Sequence, residues 1–222
     1  MHPFRLLLIA ILALACGALT ISQAAYADQR PNILLVVADD MGWTDLGSFG
    51  SEIETPNLDT LAQRGVKFTD FYTSVSCSPT RSMLLSGTDN HLAGLGNMGE
   101  LLTPGQRGKP GYEGHLNDRV VSLAEVLRAG GYHTYMAGKW HLGHDPKTIP
   151  HARGFERSFS MLFGGASYWS DMIGLLEEQE EIVEYVRDGK WLEKLPGDFY
   201  ATRSFTDFLI ESIRQNRDYE WT

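Results

Sequence analysis

Cys77 and Arg81 stand four residues apart in the string Cys-Ser-Pro-Thr-Arg, one turn of a helix, a spacing that lets both side chains face the same pocket. Pro79 opens a helix predicted over residues 79–86, which sets Cys77 near a helix N-terminus, where backbone N–H groups favour negative charge. A thiol there is either an inert buried side chain or a reactive group, and the arginine is either a surface cation or a fixed positive charge for an anion. Asp39 and Asp40 close an apolar run and offer hard anionic oxygens, the donors that calcium or magnesium prefers over zinc. The plain alternative for such a pair is a solvated turn or a helix cap. Adjacent strand residues point to opposite faces, so both carboxylates reach one ion only where the strand breaks, and Met41-Gly42 permits that break. Lys139 and His141 alternate past Trp140, which in extended chain places both on one face. Taken alone, Lys-x-His is surface decoration.

The elements that must position these residues are legible at a coarse level. Residues 32–38 form a continuous branched apolar run of strand length, the pattern of a strand covered on both faces. Thr55 supplies a capping hydroxyl, Pro56 the first helical position and Gly65 a stop, so a short helix is expected between them. Residues 66–72 read as a second strand that delivers the chain to Cys77. The glycine-rich stretch 87–114 reads as a long surface loop. A short amphipathic helix is expected over 122–131, a third strand over 133–137 and a helix over 199–215. Strands alternating with helices predict an α/β fold with a mixed, mainly parallel sheet sandwiched by helices. Ligands collect beyond the carboxyl ends of such strands, so Asp39, Asp40 and the residues after the third strand should share one edge. Phe163, Tyr168 and Trp169 follow a turn and read as core, with an aryl pocket as the alternative. His91, His115, His133, His144 and His151 belong to no motif, and residues 177–181 read as a solvated helical face.

Composition narrows the partners. The chain carries 19 Lys and Arg against 28 Asp and Glu, a formal charge of −9, with no basic run. That argues against nucleic acid or an anionic membrane surface as the main partner, while a metal ion and a few cations can still dominate the field inside one cleft. Arg5, an apolar stretch over residues 6–19 and Ala25-Tyr26-Ala27 have the form of a signal peptide, residues 1–27, cleaved before Asp28 and directing export to the periplasm or beyond. The apolar stretch is short for a bilayer span. A further reading makes Cys16, after Ala13-Leu14-Ala15, a lipid-modified N-terminus. With cleavage, Cys77 is the sole remaining thiol, and no intrachain disulfide can form. The remaining ~195 residues suffice for one core, and nothing after residue 27 is apolar for long enough to span a membrane.

Cys-x-Pro-x-Arg at 77–81, Asp39-Asp40 at the end of an early strand and Gly138-Lys139-Trp140-His141-Leu142-Gly143, in this order, resemble the sulfatases, specifically the bacterial arylsulfatase branch of the alkaline phosphatase superfamily. The resemblance runs from about Arg30 to about Ile213 and includes Arg153-Gly154-Phe155-Glu156, similar to an Arg-Gly-Phe-Asp turn of that family. It implies that a separate maturation enzyme oxidises Cys77 to formylglycine, which hydrates to a geminal diol. One diol oxygen then attacks sulfur, and the other expels sulfate by collapse to the aldehyde. It further implies that Arg81 holds the diol, Lys139 grips a sulfate oxygen and His141 hydrogen-bonds the diol and moves its proton. Asp39, Asp40 and the residue 77 oxygen would bind calcium, or magnesium. The family's later histidine, second metal-binding pair and last lysine have no counterpart, so residues 28–222 are expected to be the N-terminal part of a catalytic domain. Three protein ligands fall short of the roughly six to eight that calcium takes, and weak or absent activity is the expectation. The expected substrate is an aryl sulfate monoester. Competing readings are a phosphonate or phosphate monoester hydrolase with the same modified cysteine, and a non-catalytic protein that keeps the sulfate pocket.

Overall fold

A computed structural model of the chain describes residues 30–175 and 182–216. The predicted signal peptide, the Cys16 alternative and the acidic stretch 177–181 lie outside the described residues. Two compact units divide the chain. Of the first, residues 30–37 are described; they carry no strand or helix, and the apolar side chains from Ile33 to Val37 are exposed. The strand predicted over 32–38 is therefore not formed among the described residues. Apolar character favours a strand only when a neighbouring backbone completes the ladder, and that condition cannot be read from one segment.

The second unit, residues 38–217, holds the regular structure. Helix α1 runs Pro56–Arg64, with proline at its start and the Gly65 N–H closing on the Leu61 carbonyl, as expected. The Thr55 hydroxyl does not cap it. It accepts instead from the Gly47 N–H at 2.9 Å and donates to Asp59 Oδ1 at 3.0 Å, tying the helix to the preceding turn. The strand predicted over 66–72 is also absent, and Val66, Phe68, Phe71 and Tyr72 are exposed. Helix α2, Cys77–Ser86, opens two residues before the predicted start, on Cys77 itself. Pro79 falls in the first turn, where a missing N–H deprives no intrahelical bond.

Helix α3, Leu123–Ala129, has the most fully satisfied start of the described helices. Ser122 Oγ accepts from the Glu125 N–H at 3.1 Å while Glu125 Oε2 accepts from the Ser122 N–H at 2.6 Å, a reciprocal cap. Strand β1, Tyr135–Lys139, lies two residues later than predicted and pairs in parallel with β2, Arg157–Met161. Strand β3, Tyr185–Arg187, pairs antiparallel with β2, and β4, Lys190–Trp191, follows through the Asp188-Gly189 turn. The result is the expected mixed sheet with flanking helices, in the order β1-β2-β3-β4, but among the described strands one pair is parallel and two are antiparallel, so the expected mainly parallel character does not extend to this part of the sheet.

Tyr185 and Val186 are neighbours on β3 and so face opposite ways, and they belong to two different apolar clusters. On one face Val186 joins Leu85 of α2, Ala93, Leu95, Leu116, Trp140 and Leu162. On the other, Phe159, Tyr185 and Phe199 pack against Phe205 and Phe208 of helix α4, Ala201–Gln215. Burial raises the Tyr185 phenol to about 12, with the charge of Asp171 adding to it. Phe163 packs against both clusters, but Tyr168 and Trp169 are exposed and lean on Tyr200, contrary to a core reading.

The predicted surface loop 87–114 is irregular, but it is not confined to the surface: Ala93 and Leu95 are fully buried. It is stitched to later chain by Gly96 N–H to Gly111 carbonyl at 2.8 Å, Gly114 N–H to Gly94 carbonyl at 3.0 Å and Asn117 N–H to Ala93 carbonyl at 3.0 Å. Gly94 has φ of +95°, and a Cβ there would come 2.6 Å from the His115 carbonyl oxygen, so only glycine lets the two backbones meet. No described helix is long and apolar enough to cross a membrane.

Candidate active site

The string Lys139-Trp140-His141 is fixed from both sides. Trp140 is fully buried, its indole N–H donates to the Thr148 carbonyl at 2.9 Å, and its ring meets Phe155 edge-on at 6.1 Å. Beyond β1 the ladder continues, with Trp140 N–H to Met161 carbonyl at 2.8 Å and His141 N–H to Leu162 carbonyl at 3.1 Å. His141 then turns out of the strand at φ of +54°, a conformation uncommon for a residue with a Cβ and typical of sites where geometry outranks backbone comfort. Lys139 and His141 both lie within reach of Cys77.

Helix α2 brings the other half. Cys77 Sγ, at its first residue, lies 3.3 Å from His141 Nδ1. One turn later, Arg81 donates from Nε to the Trp140 carbonyl at 2.9 Å and from Nη2 to the Lys139 carbonyl. The guanidinium thus clamps the backbone that carries Lys139 and His141 onto the helix that carries Cys77, a second task for a residue expected only to hold an anion. Lys139 Nζ contacts Asp39 Oδ2 at 2.9 Å, which joins the early aspartate to the later motif across 100 residues. Asp40 follows at φ of +53°, so the chain does break at the carboxylate pair.

Sequence reasoning missed three residues. Glu100 Oε1 lies 2.9 Å from His141 Nε2, and Met98 Sδ lies 3.5 Å from Cys77 Sγ; both ride on the short 3-10 turn at Gly99–Leu101. His144 is exposed by its surface area, with its ring 4.4 Å from that of Phe163, and its imidazole is pushed down chiefly by desolvation, with the charge of His141 adding to it. The available signal for Glu100 was a carboxylate with no other charged residue between Asp89 and Arg107 in the glycine-rich stretch; nothing marked Met98. Gly164 borders the pair: a Cβ there would sit 2.8 Å from His141 Cε1 and 3.2 Å from Glu100 Oε1.

Electrostatics follow from these contacts. Burial alone would raise the Cys77 thiol, but the His141 hydrogen bond and the charges of His141 and Lys139 bring it below its ordinary value. Burial works against the His141 imidazolium, yet its bonds to Cys77 and Glu100 hold it above the usual range. Burial likewise opposes the Glu100 carboxylate, and the bond to His141 more than offsets it, so that carboxyl lies low. Arg81 is lowered by burial against the opposing charges of Asp39 and Cys77, and it stays a cation. The arrangement is a polarised sulfur beside two fixed cations, Lys139 and Arg81, suited to bind an oxyanion, with His141 able to accept a proton from residue 77 only in its neutral form.

As a metal shell the same residues are incomplete. Among the described residues no three His, Cys, Asp or Glu side chains gather as a metal site, and Asp39 is engaged by Lys139. Asp39 and Asp40 supply the right donor chemistry for calcium but do not by themselves fit it.

The sulfatase family model matches residues 31–221. An uncharacterized sulfatase of Schizosaccharomyces pombe is 46% identical over 198 residues, 86% of this chain and 35% of its own length. The arylsulfatase of Klebsiella aerogenes is 43% identical over 181 residues, 82% of this chain and 38% of its own. Among solved structures, Ps i-CgsB superposes with a TM-score of 0.70 at 30% identity, over 86% of this chain and 43% of its own. The chain thus spans a little over a third of the length of these two curated relatives. A match over nearly all of the chain outside its first 30 residues, on the strings that build the site, is not a local coincidence: this chain belongs to the sulfatase family.

Proposed function

We propose that the chain carries the nucleophile half of a sulfuric ester hydrolase, acting on aryl sulfate monoesters through a formylglycine made from Cys77. The carrying observation is the approach of His141 Nδ1 to residue 77 at 3.3 Å, with Lys139 and Arg81 on the same side. Family membership and the resemblance to the arylsulfatase of Klebsiella aerogenes support the sulfate ester over other monoesters. In the modified, hydrated form, residue 77 supplies an oxygen nucleophile whose covalent adduct can release sulfate without attack by a separate water. His141 Nδ1 accepts the proton at that atom. Lys139 Nζ, held beside Asp39, binds an anionic oxygen of the ester, and Arg81 keeps both motifs in register. Calcium, with magnesium as the alternative, is the ion that Asp39 and Asp40 would favour, with further donors supplied from outside the described residues. Export by the signal peptide would place the mature protein and its substrate in the periplasm or outside the cell.

Expression in a host with the oxidising enzyme, followed by mass spectrometry of the peptide spanning residues 76–81, should show Cys77 converted to an aldehyde. An unmodified thiol under those conditions overturns the proposal. Paired 4-nitrophenyl sulfate and phosphate assays then separate sulfatase from phosphatase action. The incomplete metal shell specifically favours a second reading, a protein that holds the anion with little turnover; sulfate binding without sulfate ester hydrolysis would establish it.

A further inference from the structure

We propose that Glu100 is a positioning residue that fixes the proton of His141 on Nε2 and aims the Nδ1 lone pair at residue 77. This rests on the proposed role of His141 as the proton acceptor. A carboxylate oxygen accepts hydrogen bonds and does not donate them, so a 2.9 Å contact to Glu100 Oε1 requires hydrogen on Nε2. In the neutral ring the other nitrogen is then an acceptor, and it is the one that lies 3.3 Å from the residue 77 side chain. The ring cannot easily exchange its two nitrogens. His141 is 5% exposed, its backbone N–H is tied to Leu162, and a Cβ at Gly164 would already collide with Cε1.

The 3-10 turn that presents Glu100 adds a second fixed point. Residue 98 touches the sulfur of residue 77, and residue 100 touches the far nitrogen of His141, so one short turn braces both ends of the proton path. The turn is held in place by the Leu101 N–H to Met98 carbonyl bond and by Asn97 Nδ2 on the Leu101 carbonyl at 3.1 Å. A carboxylate on the outer nitrogen of a functional imidazole sets its tautomer and orientation in the same way when the inner nitrogen faces a metal or a hydroxyl.

The test uses the full chain with Cys77→Ser, which puts an oxygen at residue 77 and removes thiolate charge from the reading. Nitrogen-15 spectra of labelled histidine, taken where His141 is neutral, should show Nε2 protonated and Nδ1 bare. In the Cys77→Ser, Glu100→Leu chain, at a temperature where a cooperative melt shows it still folded, the two nitrogen shifts should converge as the tautomers mix. Cys77→Ser, Glu100→Gln, which keeps an acceptor oxygen, should retain the parent pattern and serves if the leucine variant folds poorly. Unchanged His141 shifts in a folded Glu100→Leu chain, or a protonated Nδ1 in the parent, overturn the proposal. Neither reading depends on sulfate turnover, so a failed sulfatase assay and a failed Glu100 assignment are separate results.

Discussion

The two charged halves of the site are built to different standards. On the cationic side, His141 is 5% exposed and Lys139 11%, and Arg81 reaches two backbone carbonyls. On the acidic side, Asp39 is 48% exposed and has Lys139 as its ion-pair partner, while Asp40 sits on an exposed left-handed turn. Preorganisation is an energetic property: groups already desolvated and aligned need no rearrangement when an anion arrives, whereas exposed carboxylates must be gathered by the ion they bind. On the proposed function, the anion-gripping half would be intrinsic to these residues, and the metal-binding half would draw on others.

The largest expected effect comes from breaking the cationic side at its hub. Arg81→Ala strips donors from the Lys139 and Trp140 carbonyls and should cost about 2–3 kcal/mol in urea unfolding, with lysine at that position an incomplete rescue. Next, Gly164→Ala forces a methyl into the His141 ring and should lose about 2 kcal/mol while displacing the imidazole from residue 77, visible as changed histidine shifts.

The Glu100 and His141 pair gives a smaller, pH-shaped effect. His141 is raised on folding, so its stabilisation is complete below its ordinary value near 6.5 and fades as pH climbs through the raised value. Glu100 is lowered, so its share is complete above about 4.5 and fades as pH falls through the lowered value. Glu100→Gln should therefore destabilise most between those two limits, by about 1 kcal/mol in denaturation series at several pH values, and the gap should close on either side. The acidic side marks the lower end. Asp39→Asn should change stability by less than about 0.5 kcal/mol, and calorimetric titration should find calcium affinity no tighter than about 1 mM. Tight calcium binding by this chain would erase the contrast between the two halves.

How much of this was readable in advance depended on the range of the interaction involved. Helices α1 and α3 were legible because their signals, Pro56, Ser122 with Glu125 and the stopping glycines, act within one turn. The Asp188-Gly189 turn carries an equally local signal for the β3–β4 hairpin. The apolar runs at 32–38 and 66–72 suggest strands that do not form, because a strand is a relation between segments and neither finds its ladder among the described residues. In the site, Cys77, Arg81, Lys139, His141 and Asp39 do converge, since motif strings preserve chemistry over long separations. Glu100 and Met98 escaped notice because their roles depend on an irregular loop whose path is set by backbone stitching.

The left-handed backbone at His141 governs how this residue can be altered. Asparagine tolerates that conformation, so His141→Asn removes the imidazole while sparing the chain around it; valine would add a backbone penalty unrelated to proton transfer. A scan with branched side chains would overstate the chemical importance of the position, and a comparison of the two substitutions separates the ring's contribution from the cost of the bend that holds it.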